Sequence, residues 1–155
     1  MTRHRRRGLR ERGIQVHHSR MAIIYFRIAA GLLAFVSLGF GVPAVIGALH
    51  YARTGEVWRL LGFPTYGPGL FEKWGVPTSA GLMVAFSAVC ALAVGAAVLL
   101  WIPSTAVVGA IAALVLLLAQ AVFWVGYELP FGPPFGIAAA ALIVFGLVNS
   151  GPAAS

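Results

Sequence analysis

The sequence predicts an all-α protein: a polytopic transmembrane bundle of four helices, the fourth short, with its N-terminus in the cytoplasm. The runs Ile28–Leu49, Ala80–Ile102 and Thr105–Tyr127 contain no Asp, Glu, Lys, Arg or His, and neither does the shorter Phe135–Val148. Of 155 residues, 60% are hydrophobic and 10% charged, with a mean hydropathy of +0.91. A soluble domain is about 45–50% apolar and about 25% charged, and has polar surface enough to cover its core. Eight of the 11 basic residues precede the first run, a bias that keeps a flank on the cytoplasmic side.

Residues 1–21 carry Arg3, Arg5, Arg6, Arg7, Arg10, Arg12 and Arg20 without a clear apolar period. They read as a disordered basic tail. Beside a membrane span, such a tail is drawn to anionic lipid rather than to nucleic acid. Met21 offers an alternative start. A signal peptide is the competing reading, but the first apolar run, of 22 residues, exceeds the usual core of about 7–15. The membrane domain then covers residues 22–150, with Tyr25 and Phe26 as interfacial anchors.

Span 1, residues 28–49, is interrupted by Pro43, which removes a backbone donor. Gly31, Gly39, Pro43 and Gly47 share one stripe, with Phe35 in its gap, and small residues there admit a second helix. Residues 50–79 form the extracytoplasmic loop. Gly and Pro punctuate it too often for a long helix, although Thr54–Leu61 or Leu70–Trp74 can form short interfacial ones. Gly62-Phe63-Pro64-Thr65 recurs as Gly75-Val76-Pro77-Thr78, two turns of similar design.

Thr78 or Ser79 caps span 2, residues 80–102. Ser87, Ala91 and Gly95 give it a small-residue stripe, and Trp101 marks its far interface. Pro103-Ser104-Thr105 turns the chain so tightly that spans 2 and 3 must be antiparallel neighbours. Span 3, residues 105–127, holds Gln120, an amide suited to an interhelical hydrogen bond, and ends in an aromatic belt. Glu128 to Pro134 is a rigid turn, and Pro133 and Pro134 suit a helix's first turn. Span 4, residues 134–150, is short and reads as a crossing, with a re-entrant segment as the alternative. Residues 151–155 are a short tail.

The span interiors offer no group for proton or ion chemistry. Carboxylates, cations and aromatics gather instead on the outer face: Glu56, Trp58, Arg59, Tyr66, Glu72, Lys73, Trp74 and Glu128. That face suits a lipid headgroup, a sugar or a partner's ectodomain. The bland alternative is that Arg59 pairs with Glu56 or Glu72 to hold the loop down, while the tryptophans anchor it. Cys90 is the only cysteine, which excludes an intrachain disulfide and a dithiol mechanism. His17, His18 and His50 are too few and too scattered for a metal site. No phosphate loop or hydrolase signature occurs, so no catalytic, metal or cofactor-binding residue is assigned.

Gly62-Phe63-Pro64-Thr65-Tyr66-Gly67, Phe71-Glu72 and Gly75-Val76-Pro77-Thr78, followed by a Leu/Val/Ala span ending near Trp101, resemble bacterial four-helix membrane proteins that are distantly DoxX-like. The resemblance covers roughly Ile24 to Val148. It implies a four-helix bundle and, in some members, association with membrane redox complexes. DoxX-like chains often carry an acidic residue before a Gly-containing stretch in the second span; here Cys90–Gly95 has none.

The expected role is a non-catalytic scaffold or accessory subunit in a bacterial cytoplasmic membrane. Its expected partners are the bilayer, anionic lipid at the tail, and a membrane protein or further copies of itself. The alternatives are an oligomeric small transporter or lipid flippase, and an enzyme working at the outer interface through Glu56, Glu72 or Glu128.

Overall fold

A computed structural model describes residues 3–60 and 63–150, with side chains described from Arg20 onward except at 63 and 64. The elements in chain order are α1 (Arg3–Thr54), the strands β1 (Arg59–Leu60) and β2 (Phe63–Pro64), a one-turn helix α2 (Leu70–Lys73), α3 (Ala80–Trp101), a 3-10 turn at Pro103–Thr105, α4 (Ala106–Gly126) and α5 (Gly132–Asn149). Four segments are long and apolar enough to cross a membrane: Arg20–Thr54, Ala80–Trp101, Pro103–Gly126 and Gly132–Asn149. The protein is a multi-pass helical membrane protein.

The helices close a ring in which α1 packs on α3 and α5, and α4 completes the circuit diagonally opposite α1. The three-residue link makes α3 and α4 antiparallel neighbours, as expected. Alanines such as Ala29, Ala93, Ala110 and Ala113 are fully buried, while Leu118, Ile137 and Val148 point outward. Spans that are apolar all round fit a solvent that is itself apolar. Ser79 caps α3, its hydroxyl accepting the Leu82 N–H at 3.2 Å.

The N-terminal segment departs from the expectation of disorder, because α1 is helical from Arg3. The segment contains no proline and is rich in Arg, a good helix former. The adjoining span supplies a nucleus, onto which each further residue adds one hydrogen bond. Its 52 residues rise about 78 Å, far more than roughly 30 Å of hydrocarbon, so α1 extends beyond the membrane core. Arg27 lies over the Trp101 ring at 5.5 Å, which places the basic flank and the α3–α4 turn at one end. Helix α5 begins at Gly132, with Pro133 and Pro134 in its first turn, and its 18 residues rise about 27 Å, enough for a crossing. The ring pairs Tyr25–Phe145 and Phe35–Phe135 set it antiparallel to α1.

The proposed packing stripes are only partly used. Gly31, Gly39 and Gly95 have open space where a Cβ would stand, and Ala91 is exposed. Of those positions Gly47 makes a close contact, 3.5 Å from Met83 and from the Tyr66 ring, while Pro43 and Ser87 are half-buried. The close approaches fall elsewhere: Gly41 on Cys90, Gly109 on Leu100, Gly132 and Gly136 on Trp124, and Gly146 on Phe26. Four-residue spacing defines a stripe but not which stripe faces a neighbour. Helix rotation decides that, and large side chains such as Phe26 and Trp124 set the rotation by needing somewhere to go.

Candidate functional site

The loop-side end carries a small platform held down by two tyrosines. Helix α1 stops at Thr54, where Gly55 turns left-handed (φ 72°) and its N–H reaches the Tyr51 carbonyl at 2.8 Å. The chain then pairs back on itself, Arg59 opposite Pro64 and Leu60 opposite Phe63, with Thr65 N–H on the Trp58 carbonyl at 3.0 Å. This ribbon stands where Thr54–Leu61 was a candidate helix. The other candidate, Leu70–Trp74, does contain a helical turn, α2. It is closed by Gly75 (φ 80°), whose N–H reaches Glu72, while that of Val76 reaches Phe71. Of the two similar Gly-x-Pro-Thr motifs, the second ends a helix and the first continues into a strand, with Gly62 itself outside the described residues.

Tyr51 donates to the Thr78 carbonyl at 3.1 Å, tying the end of the loop to α1. Tyr66 goes further. It adopts φ 60°, is buried, and drives its ring between Phe86 and Tyr127. Its hydroxyl donates to the Phe40 carbonyl at 2.6 Å. Phe40 lies three residues before Pro43, whose ring crowds the preceding turn and withholds one donor from it. A residue expected at the surface is therefore a strut. Burial pushes the Tyr66 phenol above its ordinary range, with Cys90 and Tyr127 adding to the effect, and burial raises that of Tyr127 too.

Around this strut lies a continuous aromatic layer. Phe86 stacks on Phe123 at 4.8 Å, and Phe71 meets Tyr127, Phe123 and Trp74 edge-on. Phe71 roots α2 by lying where a Cβ on Gly126 would stand. The remaining predicted face residues stay outside. Lys73 pairs with Glu128 at 3.6 Å, both well exposed. Among the described residues this is the ion pair found, so Arg59 is paired with neither Glu56 nor Glu72. Glu56, Arg59 and Trp74 are exposed, and Trp58 is half-buried. Glu72 edges an open recess of about 640 Å³, whose walls include Tyr51, Pro68, Pro77 and Thr78. Recess and carboxylate together can hold a polar or cationic group from outside.

Below the platform, the interior is sealed by one polar contact. Gln120 Nε2 donates to Ser37 Oγ at 2.8 Å, both side chains being buried. The sequence singled out Gln120 but missed Ser37, although it is the lone hydroxyl in residues 28–49. It also missed that Gln120, Trp124 and Tyr127 share the inner face of α4, each with a buried polar atom lacking a partner: Gln120 Oε1, Trp124 Nε1 and Tyr127 OH. Their spacing of four and three residues was the available signal. Among the described residues no three His, Cys, Asp or Glu converge as a metal site would require. Comparison with protein-family models, with curated proteins and with solved structures returns no match for this chain.

Proposed function

We propose that the protein is a non-catalytic accessory subunit or scaffold of a complex in a bacterial cytoplasmic membrane. In this reading the N-terminus is cytoplasmic, its basic segment lies against anionic lipid, and the platform faces outward to a membrane-protein partner. One observation carries it: among the described residues the Glu, Lys, Arg and His side chains sit at the ends of the bundle, while its centre holds a neutral Gln120–Ser37 contact. Membrane enzymes and ion-coupled pumps usually carry an intramembrane charge where they need one. The recess beside Glu72, the exposed Arg59 and Trp74, and the rigid aromatic layer beneath them make a surface held in shape without a substrate.

Purification in mild detergent tests the reading. A partner is expected at a fixed ratio to the protein, and Arg59→Glu combined with Trp74→Ala is expected to release it without unfolding the bundle. Recovery of the intact protein alone, from several gentle detergents, overturns the proposal. Orientation is tested separately: a cysteine introduced at Thr54 should react with a membrane-impermeant thiol reagent added to whole cells.

A further inference from the structure

The loop-side recess of about 640 Å³ lies where α1 ends and α3 begins. Tyr51 stands three residues before the end of α1, and Pro77 and Thr78 come just before Ala80 opens α3. The recess is therefore level with the interface, which lipid headgroups and dissolved solutes both reach. Its volume falls within the range of about 300–1,000 Å³ that small-molecule sites occupy.

Glu72 is the one charged residue that lines it. Among the described residues the Glu72 carboxylate has no cationic partner, since Lys73 pairs with Glu128 at 3.6 Å and neither Arg53 nor Arg59 lines the recess. The backbone that carries Glu72 is fixed. Phe71 roots the helical turn against Gly126, and the Gly75 N–H reaches the Glu72 carbonyl at 3.0 Å. Tyr51 adds an aromatic ring to the wall, held by its hydroxyl on the Thr78 carbonyl at 3.1 Å. Val57, Pro68 and Pro77 supply apolar walls with no side-chain donor.

We propose that this recess binds a quaternary ammonium group of the choline type, borne by a lipid headgroup or by a free solute. Glu72 supplies the counter-charge, and the Tyr51 ring and the proline walls receive the methyl groups. The lining argues against other ligands. A lone carboxylate repels anions, and a metal ion needs three or more convergent ligands. A primary ammonium brings three N–H donors that ask for acceptors, whereas Glu72 is the one strong acceptor left unengaged, Tyr51 and Thr78 being bonded to each other. A quaternary ammonium brings no donor. It needs negative charge, a ring face and apolar contact, which are the groups present.

The full-length protein, purified in a maltoside detergent and titrated with choline or ethanolamine at constant ionic strength, tests this by saturation-transfer NMR. Choline should bind about threefold more tightly than ethanolamine, the range of one exposed cation–π contact. Glu72→Gln should weaken choline binding by about three- to fivefold, as expected for an exposed charge pair. Tyr51→Leu should weaken it similarly, whereas Glu56→Gln, a carboxylate of the same loop outside the recess, should not. Glu72 is exposed, so its variant keeps the fold. The two sources are separated by native mass spectrometry from nanodiscs holding equal phosphatidylcholine and phosphatidylethanolamine. Enrichment of phosphatidylcholine that Glu72→Gln abolishes identifies the lipid, and choline binding without enrichment identifies a solute. Choline that fails to bind, binds no better than ethanolamine, or binds Glu72→Gln equally well overturns the proposal. The partner reading is tested separately through Arg59 and Trp74, neither of which lines the recess, so either can fail alone.

Discussion

Gln120 of α4 donates its amide hydrogen to the hydroxyl of Ser37 on α1, 2.8 Å away, across two helices that otherwise scarcely touch. The bond ties the diagonal of the bundle, and it sets the register between two faces built mostly of alanine and leucine. Ser37→Ala is expected to cost about 0.6–2 kcal/mol in a detergent unfolding titration. The reason is that the whole Gln120 amide is then left buried without a partner. The double variant Ser37→Ala, Gln120→Leu should recover most of that loss, since an apolar pair of similar shape leaves nothing unsatisfied. A double variant no more stable than Ser37→Ala would show that the lost bond, not the orphaned amide, accounts for the cost.

Glu128 sits in the left-handed region (φ 56°) at the end of α4, where the Leu129 N–H reaches the Trp124 carbonyl at 2.7 Å. Glycine takes this conformation without strain, so Glu128→Gly should stabilise the fold by about 1 kcal/mol. The exposed pair with Lys73 offsets little of that. A thermal shift assay in detergent reads the difference, and a loss of stability would mean that the ion pair outweighs the backbone strain.

Glycines divide into those that hold helices together and those that face outward. Gly132→Ala forces a methyl into the Trp124 ring and should destabilise by about 1–3 kcal/mol. Gly31→Ala and Gly39→Ala meet open space and should be neutral or gain about 0.5–1 kcal/mol from helix propensity. Unfolding midpoints for the three variants check the ordering. A destabilising Gly31→Ala would place a second helix, from another copy or a partner, against that stripe.

The buried phenols of Tyr66 and Tyr127 titrate above the ordinary tyrosine value when folded. In the unfolded chain they lose their protons first, near pH 10. Their contribution to stability is therefore complete below about pH 10 and is lost as pH rises toward the folded-state values. Unfolding measured from pH 8 to 11 should show stability falling at the alkaline end, with a shallower fall in Tyr66→Phe. That variant should also lose about 1 kcal/mol at neutral pH, with the hydrogen bond to Phe40. An unchanged alkaline slope would count against the strut.

The sequence by itself determined the number of membrane helices, their approximate limits, a cap at Thr78 or Ser79, the tight turn between α3 and α4, and the placement of charges outside the spans. Each depends on local rules: length against bilayer thickness, side-chain oxygens beside free N–H groups, and the cost of charge in hydrocarbon. Only the tertiary structure decided which face of each helix meets another. In lipid both faces of a span are apolar, so the soluble-protein clue of a polar outside is missing. Gly31 and Gly132 are alike in the sequence, yet one faces outward and the other carries the Trp124 ring. For the same reason Tyr66 reads as a surface residue but acts as a strut: only packing brings it to the carbonyl of Phe40, 26 residues away along the chain.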